Sequence, residues 1–161
     1  MRRLTFTMFF LLTMLAVAPA MGGTLVVLLN AKRPEADVTL ADIRRVYNGE
    51  MRYWKDRTPI RPVLPPRRSE AYGRFLRGTL QQTAEQFNRA WEARRFRGDV
   101  SILPVATPSD EAAIRSSSTN PSFFVVLDRD ALSSLDEKLL RTVKVITVNG
   151  KTPDNPQYPL Q

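Results

Sequence analysis

The sequence has no cysteine and no histidine among its 161 residues. Without cysteine there is no disulfide bond, no thiolate nucleophile and no N-terminal cysteine for lipid attachment. Without histidine there is no imidazole base, and the two absences together exclude metal sites built from these residues. Carboxylates, Lys, Tyr and Ser remain, but their spacing shows neither paired carboxylates nor an activated nucleophile. We therefore expect a protein that is not an enzyme and that uses no metal or cofactor.

The beginning of the chain is apolar apart from Arg2 and Arg3. An apolar run at 4–17 follows, and Ala18-Pro19-Ala20 then places small residues where a signal peptidase cleaves. This order of segments predicts a signal peptide over residues 1–20 that is cleaved after Ala20.

An uncleaved membrane anchor is the alternative, because no charged residue occurs between positions 4 and 31. Pro19 and two glycines interrupt that segment and leave it marginal for spanning a bilayer. We expect residues 21–161 to form one domain that works in the periplasm and is not embedded in the membrane.

Basic residues outnumber acidic ones, with 24 Lys and Arg against 16 Asp and Glu and a formal net charge of +8. This excess favours anionic partners as a class. The densest patches are Arg67-Arg68 and residues 94–97, and there is no block of five or six like charges. A solvated basic surface explains this distribution as well as a functional patch does. Nucleic-acid binding is supported by charge only, so we expect no specific nucleic-acid partner.

Apolar segments alternate with helical patterns after residue 21. Strands are predicted at 25–29, 60–64, 123–127 and 143–148, with a further apolar segment at 100–105. Helices are predicted to begin after Thr39, Ser69 and Thr83 and within 107–111, with Gly78 as the break between the second and third. This alternation predicts an α/β domain with a mixed, partly parallel sheet flanked by helices. In such sheets, ligands bind beside strand carboxyl ends and helix N-termini.

Two groups of side chains have more than one interpretation. One is a set of six aromatic residues, Tyr47, Trp54, Phe75, Phe87, Trp91 and Phe96. They could form a stacking platform for sugars or nucleic acid, but their helical spacing favours core packing. The other is the run of hydroxyl side chains at 116–119, which a proline follows and which is therefore more typical of a loop than of a site.

The turn at 62–69 is the most informative stretch for function. It leads from a predicted strand into a helix, whose first N–H groups are unpaired and attract anions. Arg67 and Arg68 could add bidentate contacts to an oxyanion. In the alternative interpretation, Ser69 only caps the helix and both arginines stay in water. Glu70 in the first helical turn favours this second interpretation.

Several short motifs occur together in one order over residues 25–160. They are Ile43, Tyr47-Asn48-Gly49, Trp54, Pro62-Val63, Ser69 with Phe75, Trp91, Phe96-Arg97-Gly98, Val143-Lys144-Val145-Ile146, Val148-Asn149-Gly150 and Tyr158-Pro159-Leu160. On these motifs the chain resembles the phosphate ABC transporter substrate-binding proteins, and especially the short, single-unit members of that family. The resemblance implies the type II periplasmic-binding-protein fold. It also implies that serines, backbone amides at helix N-termini and an arginine hold a phosphate-like oxyanion.

Carried over to this sequence, only Ser69 falls clearly on the family's ligand-binding turn, and Arg68 is an adjacent contact. The family's Gly-Ser-Gly-Thr loop here reads Arg68-Ser69-Glu70-Ala71, which removes two glycines and a hydroxyl. A later Asn-Pro-Gly-Ala-Ile-Gly-Tyr turn here reads Asn-Pro-Ser-Phe-Phe-Val at 120–125. The length suggests little more than one of the two lobes of a transport receptor.

Two functional hypotheses follow from these observations. The first is a periplasmic binding protein for an inorganic oxyanion, phosphate first, that uses Ser69, Arg68 and Arg67 and works with an ABC permease. The second is an accessory domain that has lost its ligand and binds an envelope protein in signalling or assembly. The retained serine favours the first hypothesis, and the missing glycines favour the second.

Overall fold

The computed structural model describes residues 23–99 and 102–161. The predicted signal peptide lies outside these residues, as do the first two positions of the apolar segment predicted at 100–105. The described elements, in chain order, are β1 (Leu25–Asn30), β2 (Asp37–Val38), α1 (Leu40–Tyr47), β3 (Arg61–Leu64), α2 (Glu70–Arg74), a π-helical segment (Phe75–Thr79), α3 (Ala84–Phe96), β4 (Val105–Ala106), α4 (Asp110–Thr119), β5 (Phe123–Asp128), a 3-10 turn (Arg129–Leu132), α5 (Glu137–Leu140) and β6 (Val143–Val148).

The six strands form one sheet in the order β2-β6-β1-β5-β3-β4. β1 is antiparallel to both of its neighbours, and its Val27 pairs with Val126 of β5 and Ile146 of β6. Every other pair of neighbouring strands is parallel. Five strands therefore run in one direction and β1 runs against them, which confirms the predicted mixed, partly parallel sheet.

Helices cover both faces of the sheet, so the central strand β1 is buried at every residue. Alternate residues of β1 enter different cores, because successive side chains of a strand point to opposite faces. Leu25, Val27 and Leu29 pack with α1, α2 and α3 in the larger core. Val26 and Leu28 pack with α4 in the smaller, aliphatic core. This arrangement explains why the strand reads as a continuous apolar run.

The aromatic residues form the centre of the larger core, as their spacing predicted, with one exception. Tyr47 packs edge-on against Phe75 at 4.6 Å between ring centroids, and its hydroxyl donates to the Val63 carbonyl at 2.6 Å. The Trp91 indole N–H donates to the Tyr47 carbonyl at 3.0 Å. The prediction was wrong for Phe96, which is 95% exposed, because α3 ends there and its last turn extends past the core.

The predicted helix starts are confirmed by their caps. The Thr39 hydroxyl accepts from the Asp42 amide and Thr83 from the Gln86 amide, in both cases as a reciprocal capping box. Ser69 and Ser109 cap α2 and α4. These caps are local sequence signals, so they could be identified before the fold was known.

Three boundaries differ from the prediction. The helix that follows Ser69 continues through Gly78, and the chain turns only at Gln81, whose φ is 57°. Gly78 lies within a wider, π-helical turn, in which the Leu80 amide donates to the Phe75 carbonyl five residues earlier. In the apolar segment at 100–105, the described residues contribute only Val105 to a strand, and that short strand ends at Ala106.

The loop predicted at 116–119 is instead the last turn of α4. The Ser116 hydroxyl donates to the Ala112 carbonyl at 2.9 Å, and the Ser118 hydroxyl donates to the Arg115 carbonyl at 2.7 Å. Short hydroxyl side chains can bond to the preceding helical turn in this way, so the run can be accommodated in a helix that Ser109 has already started.

In the parts of the chain that the structure describes, no helix combines the length and the apolarity that a membrane span needs.

Candidate functional site

Two strand-to-helix turns meet at one edge of the sheet. β3 leads through 65–69 into α2, and β4 leads through 107–109 into α4. Because β3 and β4 are parallel neighbours, their carboxyl ends lie side by side. An open groove of about 450 Å³, which we call the edge groove, lies between the two turns and is lined by Pro66, Arg67, Arg68, Ala106, Thr107 and Pro108. This is the position at which ligands bind in open α/β sheets.

Ser69 stands at the start of α2 with an extended backbone, at φ −83° and ψ 153°. Its hydroxyl oxygen accepts from the Tyr72 amide at 3.2 Å, and its proton is donated to the Pro66 carbonyl at 2.8 Å. The Ser69 amide donates to the same carbonyl, also at 2.8 Å. The hydroxyl is therefore used twice within the turn. It can donate to a bound anion only after it releases Pro66.

Arg67 and Arg68 are both exposed at the tip of this turn. Among residues 23–99 and 102–161, neither guanidinium has a carboxylate partner or a hydrogen bond to another side chain. Leu64 and Pro65, immediately before them, are buried, which holds the base of the turn in place. The structure thus brings both arginines to the edge groove beside Ser69, with their N–H donors available to a ligand.

A second groove runs along α2 and shares Arg67 with the edge groove. We call it the α2 groove; its volume is about 570 Å³ and its lining is Arg67, Ser69, Glu70, Tyr72, Gly73, Arg74, Leu76, Arg77 and Ala84. Sequence reasoning missed Arg74 and Arg77. Positions 67, 70, 74 and 77 follow the three-and-four spacing of one helix face, and this pattern could have revealed them.

The two additional arginines have different surroundings. Arg74 forms an ion pair with Asp128 at the end of β5 and donates to the Gly23 carbonyl at 2.5 Å. Arg77 has no carboxylate partner in the described part of the chain. Its guanidinium lies across Gly73, where a Cβ atom would be only 3.0 Å from one terminal nitrogen of Arg77 and 3.1 Å from the other. Arg74 thus links α2 to β5 through its ion pair with Asp128, whereas no carboxylate of the described chain pairs with Arg77.

Acidic groups limit where an anion can approach this edge. Burial and the neighbouring charge of Asp128 raise the pKa of Asp110, the first residue of α4. One carboxylate oxygen of Asp110 is buried and has no hydrogen-bond partner within the described chain. Glu70 adds a further negative charge at the start of α2. Among the described residues no acidic side chain lines the edge groove, which is therefore the favourable approach for an anion.

The hydroxyl run at 116–119 lies away from the edge groove, because α4 begins at that groove and ends one helix length away. Ser117 is fully buried, and its carbonyl accepts from the Asn30 side-chain amide at 2.7 Å. This run therefore contributes to packing and helix structure. Within residues 23–99 and 102–161, no three acidic side chains come together in a way that could hold a metal ion.

Comparison with known proteins adds evidence on the fold. No protein-family model matches the chain, and no curated protein matches it. A phosphate transport receptor of the ABC type from Vibrio cholerae is similar in structure, with a TM-score of 0.64 and 17% identity over 86% of this chain and 53% of that one. PstS from Borrelia burgdorferi gives a TM-score of 0.61 and 13% identity over 81% of this chain and 49% of that one.

The chain spans about half the length of the solved structures that it matches. At these identities the likeness shows the fold alone. The expected α/β architecture is confirmed: a mixed sheet flanked by helices, with a fold like that of the phosphate transport receptor.

Proposed function

We propose that this chain is an exported, non-catalytic solute-binding protein for an inorganic oxyanion, with phosphate as the first candidate. The observation that carries the proposal is the pair Arg67-Arg68, exposed and without carboxylate partners in the described chain, at the strand-to-helix turn of the edge groove. The likeness in fold to phosphate-binding proteins supports the same ligand class.

The expected binding chemistry is charge-assisted hydrogen bonding. Each guanidinium presents a planar pair of N–H donors that matches two phosphate oxygens. Hydrogen bonds to charged groups contribute about 1.5–3 kcal/mol each, and the cost of ordering two exposed side chains opposes them. Because the groove is open to water, we expect a dissociation constant on the order of 1 mM. Ser69 would add a contact if an anion displaces Pro66 as its hydrogen-bond acceptor.

Isothermal titration with phosphate and then sulfate tests the proposal, using the purified protein and the variant Arg68→Gln. The matched control is Arg61→Gln, because Arg61 is also exposed but stands at the other end of β3. We expect saturable phosphate binding that Arg68→Gln weakens by about tenfold, the loss of one such contact. Arg61→Gln should leave it unchanged. No heat and no thermal stabilisation at millimolar phosphate would rule out the oxyanion function.

The second candidate function is a ligand-free accessory domain that binds an acidic envelope protein. One observation favours it: the Ser69 hydroxyl is fully used as a helix cap, and Glu70 stands beside it. In this case phosphate and sulfate give no heat. Substituting Arg67 and Arg68 together should then abolish capture of one envelope protein by the immobilised chain, while Arg61→Gln should not.

Export and a transport partner are part of the proposal. Cell fractionation should find the protein in the periplasm with a mature N-terminus at Met21, the residue that follows the predicted cleavage site. A membrane-bound protein that retains Arg2 and Arg3 would instead indicate an anchor. An ABC permease is the expected partner if phosphate binding is observed.

A further inference from the structure

We infer that the edge groove and the α2 groove together bind a short linear oligophosphate, such as pyrophosphate or tripolyphosphate. This inference rests on the proposed oxyanion function and names the ligand class for the same site. It depends on the continuity of the two grooves, on the position of Arg77 and on the presence of Gly73.

Arg67 makes the two grooves continuous, since it lines both of them. Arg68 lies in the edge groove, on one side of Arg67, and Arg77 lies in the α2 groove, on the other. These three arginines, none of which has a carboxylate partner in the described chain, therefore form a row along the two grooves. A single phosphate can satisfy the donors at one end of such a row, whereas linked phosphates can reach donors at both ends.

The guanidinium of Arg77 reaches back toward the Ser69 turn. Side chains on a helix point toward its N-terminus, and Arg77 lies over Gly73, one turn earlier. Gly73 is itself four residues after Ser69, which corresponds to about 6 Å along the helix axis. The charge of Arg77 is thus about one helical turn away from Ser69, the residue at which the turn carrying Arg67 and Arg68 ends.

Gly73 has a packing role that supports this position of Arg77. A glycine inside a helix costs about 1 kcal/mol relative to alanine, so its presence requires another reason. Here the glycine leaves the surface of α2 open, and the Arg77 guanidinium occupies that space at a distance that a Cβ atom would disturb.

Glu70 is the opposing charge in the α2 groove. It has no ion-pair partner among the described residues, so it repels any anion that enters the groove. Its removal should therefore tighten the binding of a ligand that extends along α2. Neutralising Glu50, which is exposed but lines neither groove, adds the same net charge and should give no such gain.

The experiment is isothermal titration of the purified protein with orthophosphate, pyrophosphate and tripolyphosphate at constant ionic strength. The variants are Arg77→Gln, Glu70→Gln and the control Arg61→Gln. We expect pyrophosphate or tripolyphosphate to bind at least about tenfold more tightly than orthophosphate, since a second charge-assisted contact forms. Arg77→Gln should remove about tenfold of oligophosphate affinity and change orthophosphate affinity less than about twofold. Glu70→Gln should strengthen oligophosphate binding by roughly threefold.

The other outcomes are distinguishable. Equal affinity for orthophosphate and the oligophosphates overturns the inference and leaves the proposed function standing. No binding of any of the three overturns both. Equal losses in Arg77→Gln and Arg61→Gln indicate attraction by net charge alone and also overturn the inference. Thermal melting of each variant, together with Gly73→Ala as a second way to displace Arg77, separates lost binding from lost folding.

Discussion

Arg33 and Arg67 carry the same side chain in opposite surroundings. Arg33 follows β1 and is buried; its guanidinium donates to Glu35 at 2.6 and 2.8 Å and to Asp56 at 2.9 Å. It also lies 5.0 Å from the ring centroid of Trp54. Arg67 is exposed and, within the described residues, has no carboxylate partner.

Under the proposed function, this basic protein divides its arginines between two tasks, stabilising the fold and binding a ligand. Three of the five N–H donors of Arg33 bind Glu35 and Asp56, and the burial of its side chain keeps the others away from a ligand. The donors of Arg67 contribute little to folding but remain available at the edge groove. Net charge alone could not separate these two tasks, because each arginine counts equally toward it.

The largest expected effect is a loss of stability when Arg33, the arginine that is paired with carboxylates, is removed. Arg33→Ala should lower the free energy of unfolding by about 3 kcal/mol, because it removes two ion pairs and leaves Glu35 largely buried without its cation. Urea denaturation measures this change, and phosphate titration of the folded variant should match the unmodified protein. A loss below about 0.5 kcal/mol would show that the network contributes no more than an exposed ion pair.

The reciprocal change is Arg67→Gln. We expect about a tenfold loss of phosphate affinity, or roughly 1.4 kcal/mol, with the free energy of unfolding unchanged within about 0.5 kcal/mol. Titration and urea denaturation of one preparation give both values. If the variant loses stability and keeps its affinity, the comparison with Arg33 fails.

Ser69 could serve both tasks, because its hydroxyl caps α2 and also lies beside the arginines of the edge groove. Substitutions at Ser69 can separate the two roles. Ser69→Ala should cost about 1 kcal/mol of stability, because the Tyr72 amide loses its cap. Ser69→Asp keeps a capping oxygen and should retain most of the stability, but its charge should repel phosphate. Thermal unfolding and titration of the two variants therefore separate cap from ligand contact. Equal phosphate affinity in both variants would remove Ser69 from the site.

The smallest expected effect is a change in the free energy of unfolding that occurs only at acidic pH. Hydrogen bonds from the amide and side chain of Thr58, and then from Arg33, lower the pKa of Asp56 from 3.8 to about 2. Because the folded pKa lies below the unfolded value, this contribution to stability is complete above about pH 4 and is lost as the pH falls toward 2. Urea denaturation between pH 5 and 2 should show a shallower decline for Asp56→Asn. An identical decline would contradict the assigned pairing.

Much of the fold could be predicted because its signals are local. The apolar run of β1 and the capping residues Thr39, Ser69 and Thr83 each depend on a few neighbouring positions. The antiparallel direction of β1 depends on pairing with strands about a hundred residues later, which no local pattern encodes. The exposure of Phe96 could not be predicted either, because helical spacing does not show where the core ends.

The candidate site was predictable only in part. The turn at 67–69 follows from the strand-to-helix pattern, and the structure brings its three residues together. The hydrogen bond from Ser69 to Pro66 depends on the shape of the turn, which composition does not reveal. Arg77 was missed although positions 70, 74 and 77 follow the spacing of one helix face; its position over Gly73 depends on a side-chain conformation that spacing does not encode.

The reversed strand β1 also constrains the order in which the chain can fold. Its two neighbours, β5 and β6, are both in the last quarter or so of the sequence, so the centre of the sheet closes only after nearly the whole chain is available. Contacts of such high sequence separation fold slowly, since the entropy of closing a long loop is lost before the pairing compensates for it. The two central strand pairs of this sheet therefore cannot form until β5 and β6 have left the ribosome, late in the synthesis of the chain.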